Sequence, residues 1–325
     1  MVKQKKIYKK GEEEPLKPGI SSSNYHTPVM LHEAIDALEI KPNGIYVDCT
    51  FGGGGHAKVI LERLDKGGKL IAFDQDAAAK NNIPEDDRVL FIPQNFRYLQ
   101  RFLKLHNIFE VDGILADLGV SSYQFNEAER GFSTRYDADL DMRMDQRQSL
   151  TAFNVVSTYS EQQLHKIFEQ YGEVTNAKTL ARTIVQQREH VSFKTIDGFK
   201  NGLREIVKGN PNKYFAQVFQ ALRIEVNDEM GALKEMLLQI PAILKPGGRV
   251  AIITFHSGED RLVKNFFKNE SFDEPDENPF SRDVKERVLK IITKKPLVPS
   301  PGETKNNPRS RSAKLRVAEK LNTNP

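Results

Sequence analysis

Strand-like apolar runs and helix-like amphipathic runs alternate along the chain before Gly119. Four short runs are typical of buried strands, "GIYVDCT", "KLIAFDQD", "RVLFIPQNF" and "VDGILADLG". Three others have the apolar spacing of helices, "TPVMLHEAIDAL", "HAKVILERL" and "FRYLQRFLKLH", and we expect the first to start at its threonine-proline pair. Because parallel strands need crossover connections, this alternation predicts an α/β fold with a doubly wound parallel sheet.

The alternation stops after residue 125 and resumes near residue 213. The intervening stretch contains three predicted helices, the first with a capping-box pattern at Ser160 and Gln163. A long helical run follows, in which Pro241 predicts a kink or break. A "KPGG" turn, a fifth strand, a helix and two final strands complete the pattern. We therefore expect a disordered tail at 1–24, an α/β domain formed by 25–125 and 213–325, and a helical insertion at 126–212.

The composition excludes several classes of protein. Hydrophobic residues make up 38% of the 325 residues, which is enough for a real core. No apolar run reaches the roughly 18 residues of a membrane span, and no secretory signal is expected at the N-terminus. The single cysteine, Cys49, excludes an intramolecular disulfide and a multi-cysteine zinc site. A cytoplasmic protein is the expected result.

Charge is distributed unevenly along the chain. The segment 281–325 contains 12 Lys/Arg and 4 Asp/Glu, a net charge of +8, and residues 1–20 carry +3. The total of +4 leaves −7 for the middle of the chain. A basic end on an acidic body is typical of a protein that binds a polyanion. The alternative is that these segments are solvated tails, and we prefer this interpretation for residues 1–20.

Four consecutive glycines follow the first strand in "YVDCTFGGGGH". Gly52, Gly54 and Ala57 fit the pattern G-x-G-x-x-A of dinucleotide-binding loops. Asp48 directly before this loop favours a cationic ligand, the sulfonium of S-adenosylmethionine, over the pyrophosphate of a nicotinamide cofactor. Asp74 closes the second strand, where an acid can accept hydrogen bonds from both ribose hydroxyls of adenosine, although a turn residue is the simpler interpretation.

Two further residues follow strands in the same region. Phe96 comes after the third strand, where it would pack either on adenine or in the core. Asp117 closes the fourth strand. Because ligands of open α/β sheets bind beyond the carboxyl ends of the strands, we expect these residues and the glycine loop to meet at one site.

Eight stretches together resemble the bacterial 16S ribosomal RNA cytosine methyltransferases of the RsmH/MraW type. They are "HTPVMLHEAI", "YVDCTFGGGGH", "DGILADLGVSSYQ", "ERGFS", "LDMRMD", "FQALRIEVNDE", "LKPGGRVAIITFHS" and "NPRSRSAKLRVAE". The resemblance runs from His26 to about Glu319. Gly258 departs from it, because the family usually has leucine there, and we expect only a local packing change.

The resemblance implies a class I S-adenosylmethionine-dependent methyltransferase with a Rossmann-like fold and an inserted all-helical subdomain for substrate recognition. It implies methyl transfer from S-adenosylmethionine to the exocyclic N(4) amine of a cytidine in the decoding region of 16S rRNA, without a metal. The donor should contact Gly54, Gly55, His56, Asp74, Phe96, Asp117 and Gln124. Asp117 is also the candidate catalytic acceptor for the amine hydrogens. Related amino-methyltransferases have a Pro-Pro-aromatic step after this acid, which "DLGVSS" lacks.

The candidate RNA-binding residues are Arg143, His256, Lys294, Lys295, Lys305, Arg309 and Arg311. For Arg143 an ion pair with Asp139, Asp141 or Asp145 is an equal alternative. We expect the arginines of "NPRSRS" to bind phosphate at a part of the sheet rim that is distinct from the glycine loop.

Two other functions remain open at this point. A nicotinamide-dependent dehydrogenase would also use a G-x-G-x-x-A loop. An RNA-binding protein that has lost catalysis would keep the basic end but would not need the strand-end acids. The oligomeric state cannot be derived from the sequence.

Overall fold

A seven-stranded sheet forms the centre of the computed structural model, which describes residues 28–121, 124–125, 127–272 and 286–322. The predicted tail at 1–24 lies outside the described residues. The strands are β1 (Ile45–Asp48), β2 (Lys69–Phe73), β3 (Val89–Ile92), β4 (Val111–Asp117), β5 (Leu244–Thr254), β6 (Leu289–Ile291) and β7 (Lys314–Lys320). Their order is β3-β2-β1-β4-β5-β7-β6, and β1 to β5 are parallel.

The strand order reverses between β1 and β4, which pair directly. Both strands are almost entirely buried, because helices cover the two faces of the sheet through separate apolar clusters. β7 runs antiparallel to both β5 and β6. The predicted fold class is confirmed, and the crevice at the reversal is the expected ligand position in such sheets.

The described helices are α1 (Leu31–Ala37), α2 (Gly55–Arg63), α3 (Leu99–Leu105), α4 (Ala152–Thr158), α5 (Glu161–Gln170), α6 (Ala177–Gln187), α7 (Ile196–Gly202), α8 (Pro211–Asn227), α9 (Glu229–Ile243), α10 (Ser257–Asn269) and α11 (Pro301–Asn306). Among the described residues, no helix has the length and apolar character that crossing a membrane requires.

Helices α4 to α8 pack around an apolar cluster of their own. α5 begins with the predicted capping box of Ser160 and Gln163. α4 was not predicted, although Thr151 and Asn154 form a second capping box at its start. The buried side chains of α8 belong to this cluster as far as Val226, so we propose a boundary of the insertion near Asp228 rather than at residue 212.

Three local expectations were wrong. The long helix breaks at Asp228, whose φ of 45° is left-handed, and it does not break at Pro241, since α9 continues to Ile243. α1 begins at Leu31 and not at the threonine-proline pair, because Met30 also has a left-handed φ of 49°. The "KPGG" residues lie within β5, where the register with β4 shifts.

Candidate active site

A cavity of about 520 Å³ opens at the carboxyl ends of β1, β2, β4 and β5. Six of the seven predicted donor-binding residues line it: Gly55, His56, Asp74, Phe96, Asp117 and Gln124. Gly54 does not line the cavity but lies directly before α2 in the loop that does. The prediction that these residues meet at one site therefore agrees with their positions in the fold.

The glycine loop is shaped by two different constraints. Gly54 precedes α2 with a φ of 74°, a conformation that glycine adopts without steric cost. Gly55 has no such φ, but a Cβ built on it would lie 2.1 Å from Cγ of Pro28. The loop therefore needs glycine at two positions for the backbone conformation, since Gly52 also has a positive φ of 50°, and at Gly55 for the close packing of the Pro28 ring.

Two carboxylates at the sheet reversal have acceptors without a partner. Oδ2 of Asp48 and Oδ1 of Asp117 are shielded from solvent and accept no hydrogen bond from the described residues. The main-chain N–H of Asp117 donates to Oγ1 of Thr50 at 2.7 Å, which fixes the position of the acid at the end of β4. Of the two groups only Asp117 lines the cavity, and its side chain is 24% exposed, so it is open to a ligand that brings hydrogen-bond donors or positive charge.

Burial also changes the acidity of these groups. It raises the pKa of Asp48 to about 7. Burial, and then the negative charge of Asp48, raise the pKa of Asp117 well above its usual value. Asp117 lines the cavity, whereas Asp48 does not, so a cation bound in the cavity would favour the ionised form of Asp117.

The Asp74 carboxylate holds the backbone on both sides of the cavity. Its Oδ2 accepts the N–H of Gly52 at 2.7 Å, and its Oδ1 accepts the N–H of Asp76 at 2.8 Å. Burial raises the pKa of Asp74 to about 6. Asp74 therefore stabilises a turn, which is the simpler of the two interpretations given above. It also lines the cavity, and each of its carboxylate oxygens can accept a further hydrogen bond.

Gln124 is held by a network that sequence reasoning missed. Its Nε2 donates to Oδ2 of Asp76 at 2.8 Å, and its Oε1 accepts the N–H of Ser121 at 3.1 Å. Arg130 forms an ion pair with the same Asp76 oxygen at 3.0 Å and donates to the carbonyl of Met144. The only signal for Asp76 in the sequence is its position as the second acid of "FDQD", directly after β2. The network fastens the cavity wall to the helical insertion.

The His56 ring is buried in the cavity wall. Its Nε2 lies 3.1 Å from the carbonyl oxygen of Val29, and its Nδ1 lies 3.9 Å from Oδ2 of Asp117. Burial lowers the pKa of His56 to about 4. The ring is therefore neutral near pH 7, and because a carbonyl can only accept, Nε2 carries the proton and Nδ1 faces Asp117.

Arg143 and His256 are engaged within the protein and do not line the cavity. The Arg143 guanidinium forms a bidentate ion pair with Asp141 at 2.7 and 2.8 Å, which is one of the alternatives given above. His256 precedes α10, where its Nδ1 accepts the N–H of Glu259. A Cβ at Gly258 would lie 3.1 Å from this Nδ1, so leucine at that position would require the ring to shift.

The basic C-terminal segment is divided between the surface and the cavity. Lys294, Lys295, Lys305 and Arg311 are exposed. Arg309 instead lines the cavity, with its guanidinium 4.6 Å from the centre of the Phe125 ring. The expectation that both arginines lie away from the glycine loop was therefore wrong. Because β7 is antiparallel to β5, the residues before Lys314 lie at the end of β5 where the cavity opens.

The doubly wound sheet, the glycine loop and the strand-end acids define a class I S-adenosylmethionine-dependent methyltransferase. Residues 23–321 match the MraW methylase family, and the chain belongs to this family. The dehydrogenase alternative, which rested on the G-x-G-x-x-A pattern, is therefore wrong.

Three relatives are similar over nearly their whole length, and each is a ribosomal RNA small subunit methyltransferase H. The protein of Flavobacterium johnsoniae is 54% identical over 302 residues, 93% of this chain and 99% of the relative. That of Christiangramia forsetii is 52% identical over 298 residues, 91% and 98% of the two chains. That of Bacteroides thetaiotaomicron is 50% identical over 297 residues, 91% and 97%.

Proposed function

We propose that the protein transfers a methyl group from S-adenosylmethionine to the exocyclic N(4) amine of a cytidine in the decoding region of 16S rRNA. The substrate is the rRNA within the small ribosomal subunit, in the cytoplasm. The observation that carries the proposal is the Asp117 carboxyl group, which is 24% exposed and lines a cavity shared with the glycine loop of a methylase family. Such an acceptor suits an amine that must be held by its hydrogens.

The cavity wall fits the methyl donor. Asp74 would accept the ribose hydroxyls, and Phe96, which packs against the core with part of its side chain exposed, would contact adenine. Asp117 lines the site, where a positively charged ligand would favour its ionised form. Bound there, S-adenosylmethionine would supply an electrophilic methyl group on a sulfonium. Gly54, Gly55, His56 and Gln124 complete the proposed donor site by shaping and holding its wall.

The protein's contribution to the reaction is to orient the amine. The lone pair of the cytosine amine is delocalised into the ring, so the amine is a poor nucleophile. The Asp117 carboxylate, accepting one amine hydrogen, would favour a pyramidal nitrogen and would hold the proton that is lost when the new N–C bond forms. The N–H of Asp117 donates to Thr50, which fixes the backbone that carries this acceptor before substrate arrives.

The exposed cations of the C-terminal segment would bind RNA phosphates. Lys294 and Lys295 follow β6, and Lys305 and Arg311 lie before β7 at the cavity side of the sheet. Arg309 lines the cavity and would meet the target nucleotide itself. Arg143 and His256 are not proposed as main RNA contacts, because each side chain is paired with a neighbouring acid.

Replacing Lys305 and Arg311 by alanine is expected to weaken RNA binding and to make its salt dependence less steep. Each lost phosphate contact lowers the slope of log affinity against log salt by about 0.7 to 0.9, so the pair accounts for up to about two. RNA affinity measured between low and moderate salt tests this. The matched control replaces Lys66 and Lys69, two exposed lysines at the amino end of β2, which is the end of the strand away from the cavity. Equal slopes for all three proteins would exclude the C-terminal cations from the interface.

Methyl transfer itself separates an enzyme from an RNA-binding protein without catalysis. Small subunits from cells that lack this protein are incubated with it and labelled S-adenosylmethionine, and the RNA is digested for mass spectrometry. The expected product is N(4)-methylcytidine at one position. Tight RNA binding without any incorporated methyl group would favour the non-catalytic alternative, and a methyl group on another base would refute the amine assignment.

A further inference from the structure

Three of the described residues that line the cavity are phenylalanines, and each follows a different strand. Phe51 follows β1, Phe96 follows β3, and Phe255 follows β5. Phe51 is almost fully buried, and its ring packs edge-on against Phe91 at 5.8 Å. Phe96 lies on the side where the glycine loop and Asp74 would hold adenosine. Phe255 is therefore the aromatic side chain on the opposite side of the cavity.

Phe255 is adjacent to the reacting acid. Ile253, two residues earlier on β5, pairs with Asp117 at the end of β4, and the N–H of Leu118 donates to its carbonyl at 3.0 Å. The strand order β3-β2-β1-β4-β5 places the proposed donor site over the first three strands. The half of the cavity over β4 and β5 remains for the acceptor base, and it contains both Asp117 and Phe255.

Gly119 lies beside the Phe255 ring, and both residues line the cavity. Gly119 has a φ of 93°, and a Cβ built on it would lie 3.8 Å from Cδ2 of Phe255. Any larger side chain at this position would lie against the ring. The ring is only partly buried, and no aromatic contact to it occurs among the described residues.

The backbone of Phe255 is held firmly. Its N–H donates to Oε2 of Glu259 at 2.8 Å, and Glu259 is only 2% exposed in the first turn of α10. The same carboxylate group lies 3.3 Å from Nε2 of His256. A residue whose backbone is fixed before binding has less conformational freedom to lose when a ligand packs on it.

We propose that Phe255 is the surface on which the target base stacks, with Gly119 leaving the room for it. This inference rests on the proposed function, since it names the subsite of the same reaction. Enzymes that modify a base remove it from its stack and hold it between aromatic or apolar side chains. A base on the Phe255 ring would present its exocyclic amine beside Asp117. The arrangement replaces the aromatic step that "DLGVSS" lacks after this acid.

The test compares two substitutions at one position, Phe255→Leu, which keeps apolar bulk without an aromatic face, and Phe255→Tyr, which keeps the face. Loss of base stacking typically costs about 5- to 100-fold, so Phe255→Leu should lower kcat/KM for the RNA by that factor. Phe255→Tyr should remain near wild type. Affinity for S-adenosylhomocysteine and the melting temperature should be unchanged in both, because the ring faces the acceptor half of the cavity.

Each outcome decides the proposal. Wild-type kcat/KM in Phe255→Leu would overturn it, and so would equal losses in both variants. A parallel loss of S-adenosylhomocysteine affinity and melting temperature would assign the ring to the fold instead. If the wild-type protein transfers no methyl group, the proposed function fails, and RNA affinity then tests stacking separately: weaker binding by Phe255→Leu alone would support it, and equal binding would overturn it.

Discussion

Replacing Asp117 with asparagine is expected to lower the single-turnover rate of methyl transfer by about 100-fold or more at saturating donor, as for loss of a positioned proton acceptor. Asparagine keeps the shape of the side chain but removes its charge and turns one acceptor into a donor. Oδ1 of Asp117 has no partner among the described residues, so no structural hydrogen bond is lost from this atom. The measurement is a rapid-quench assay with RNA and excess S-adenosylmethionine.

Asp112 provides the matched control, because it lies on the same strand and is also buried. Its Oδ2 accepts from Nζ of Lys245 at 2.7 Å and from the N–H of Ile45 at 3.0 Å, at the end of β4 away from the cavity. Asp112→Asn should cost stability and leave the rate unchanged. A normal rate for Asp117→Asn with a raised dissociation constant for S-adenosylhomocysteine would make Asp117 a donor ligand only.

Local patterns were enough to predict where the glycine loop and the strand-end acids lie in the fold. The glycine loop, Asp48, Asp74 and Asp117 each end an apolar run, and parallel strands bring their carboxyl ends to one edge of a sheet. The capping box of α5 was equally local, since Ser160 and Gln163 are three residues apart. Features of this kind depend on neighbours in sequence and so can be predicted from one chain.

The acceptor side depends on contacts between distant residues. Arg309 reaches the cavity only because β7 pairs antiparallel with β5, which no local pattern indicates. Phe255 differs from the other phenylalanines only in its position beside Gly119, which follows the neighbouring strand. Arg130 reaches Asp76 from 54 residues away. These contacts are set by the packing of the insertion and of the last strand on the sheet.

The other large effect is expected from the glycine loop. Gly55→Ala should destabilise the ligand-free protein by about 1–3 kcal/mol, the usual range for overpacking a well-packed site. The added Cβ would lie 2.1 Å from Cγ of Pro28, so the Pro28 ring would have to move. Val29, the next residue, accepts the hydrogen bond of His56, so the shift should also disturb the ring that faces Asp117. Urea unfolding measures the stability, and calorimetry with S-adenosylhomocysteine measures donor binding.

Gly53→Ala is the control, because Gly53 has neither the left-handed backbone of Gly54 nor the close contact of Gly55. A Cβ on Gly53 would meet no atom of the described residues within 4 Å, and its φ is not left-handed. The unfolding free energy should therefore change by less than about 0.5 kcal/mol. Gly53 nevertheless lines the cavity, so its added methyl group should weaken donor binding without loss of stability. If Gly53→Ala instead destabilised the protein as much as Gly55→Ala, the loop would be intolerant of any side chain, and the contact with Pro28 would not be the cause.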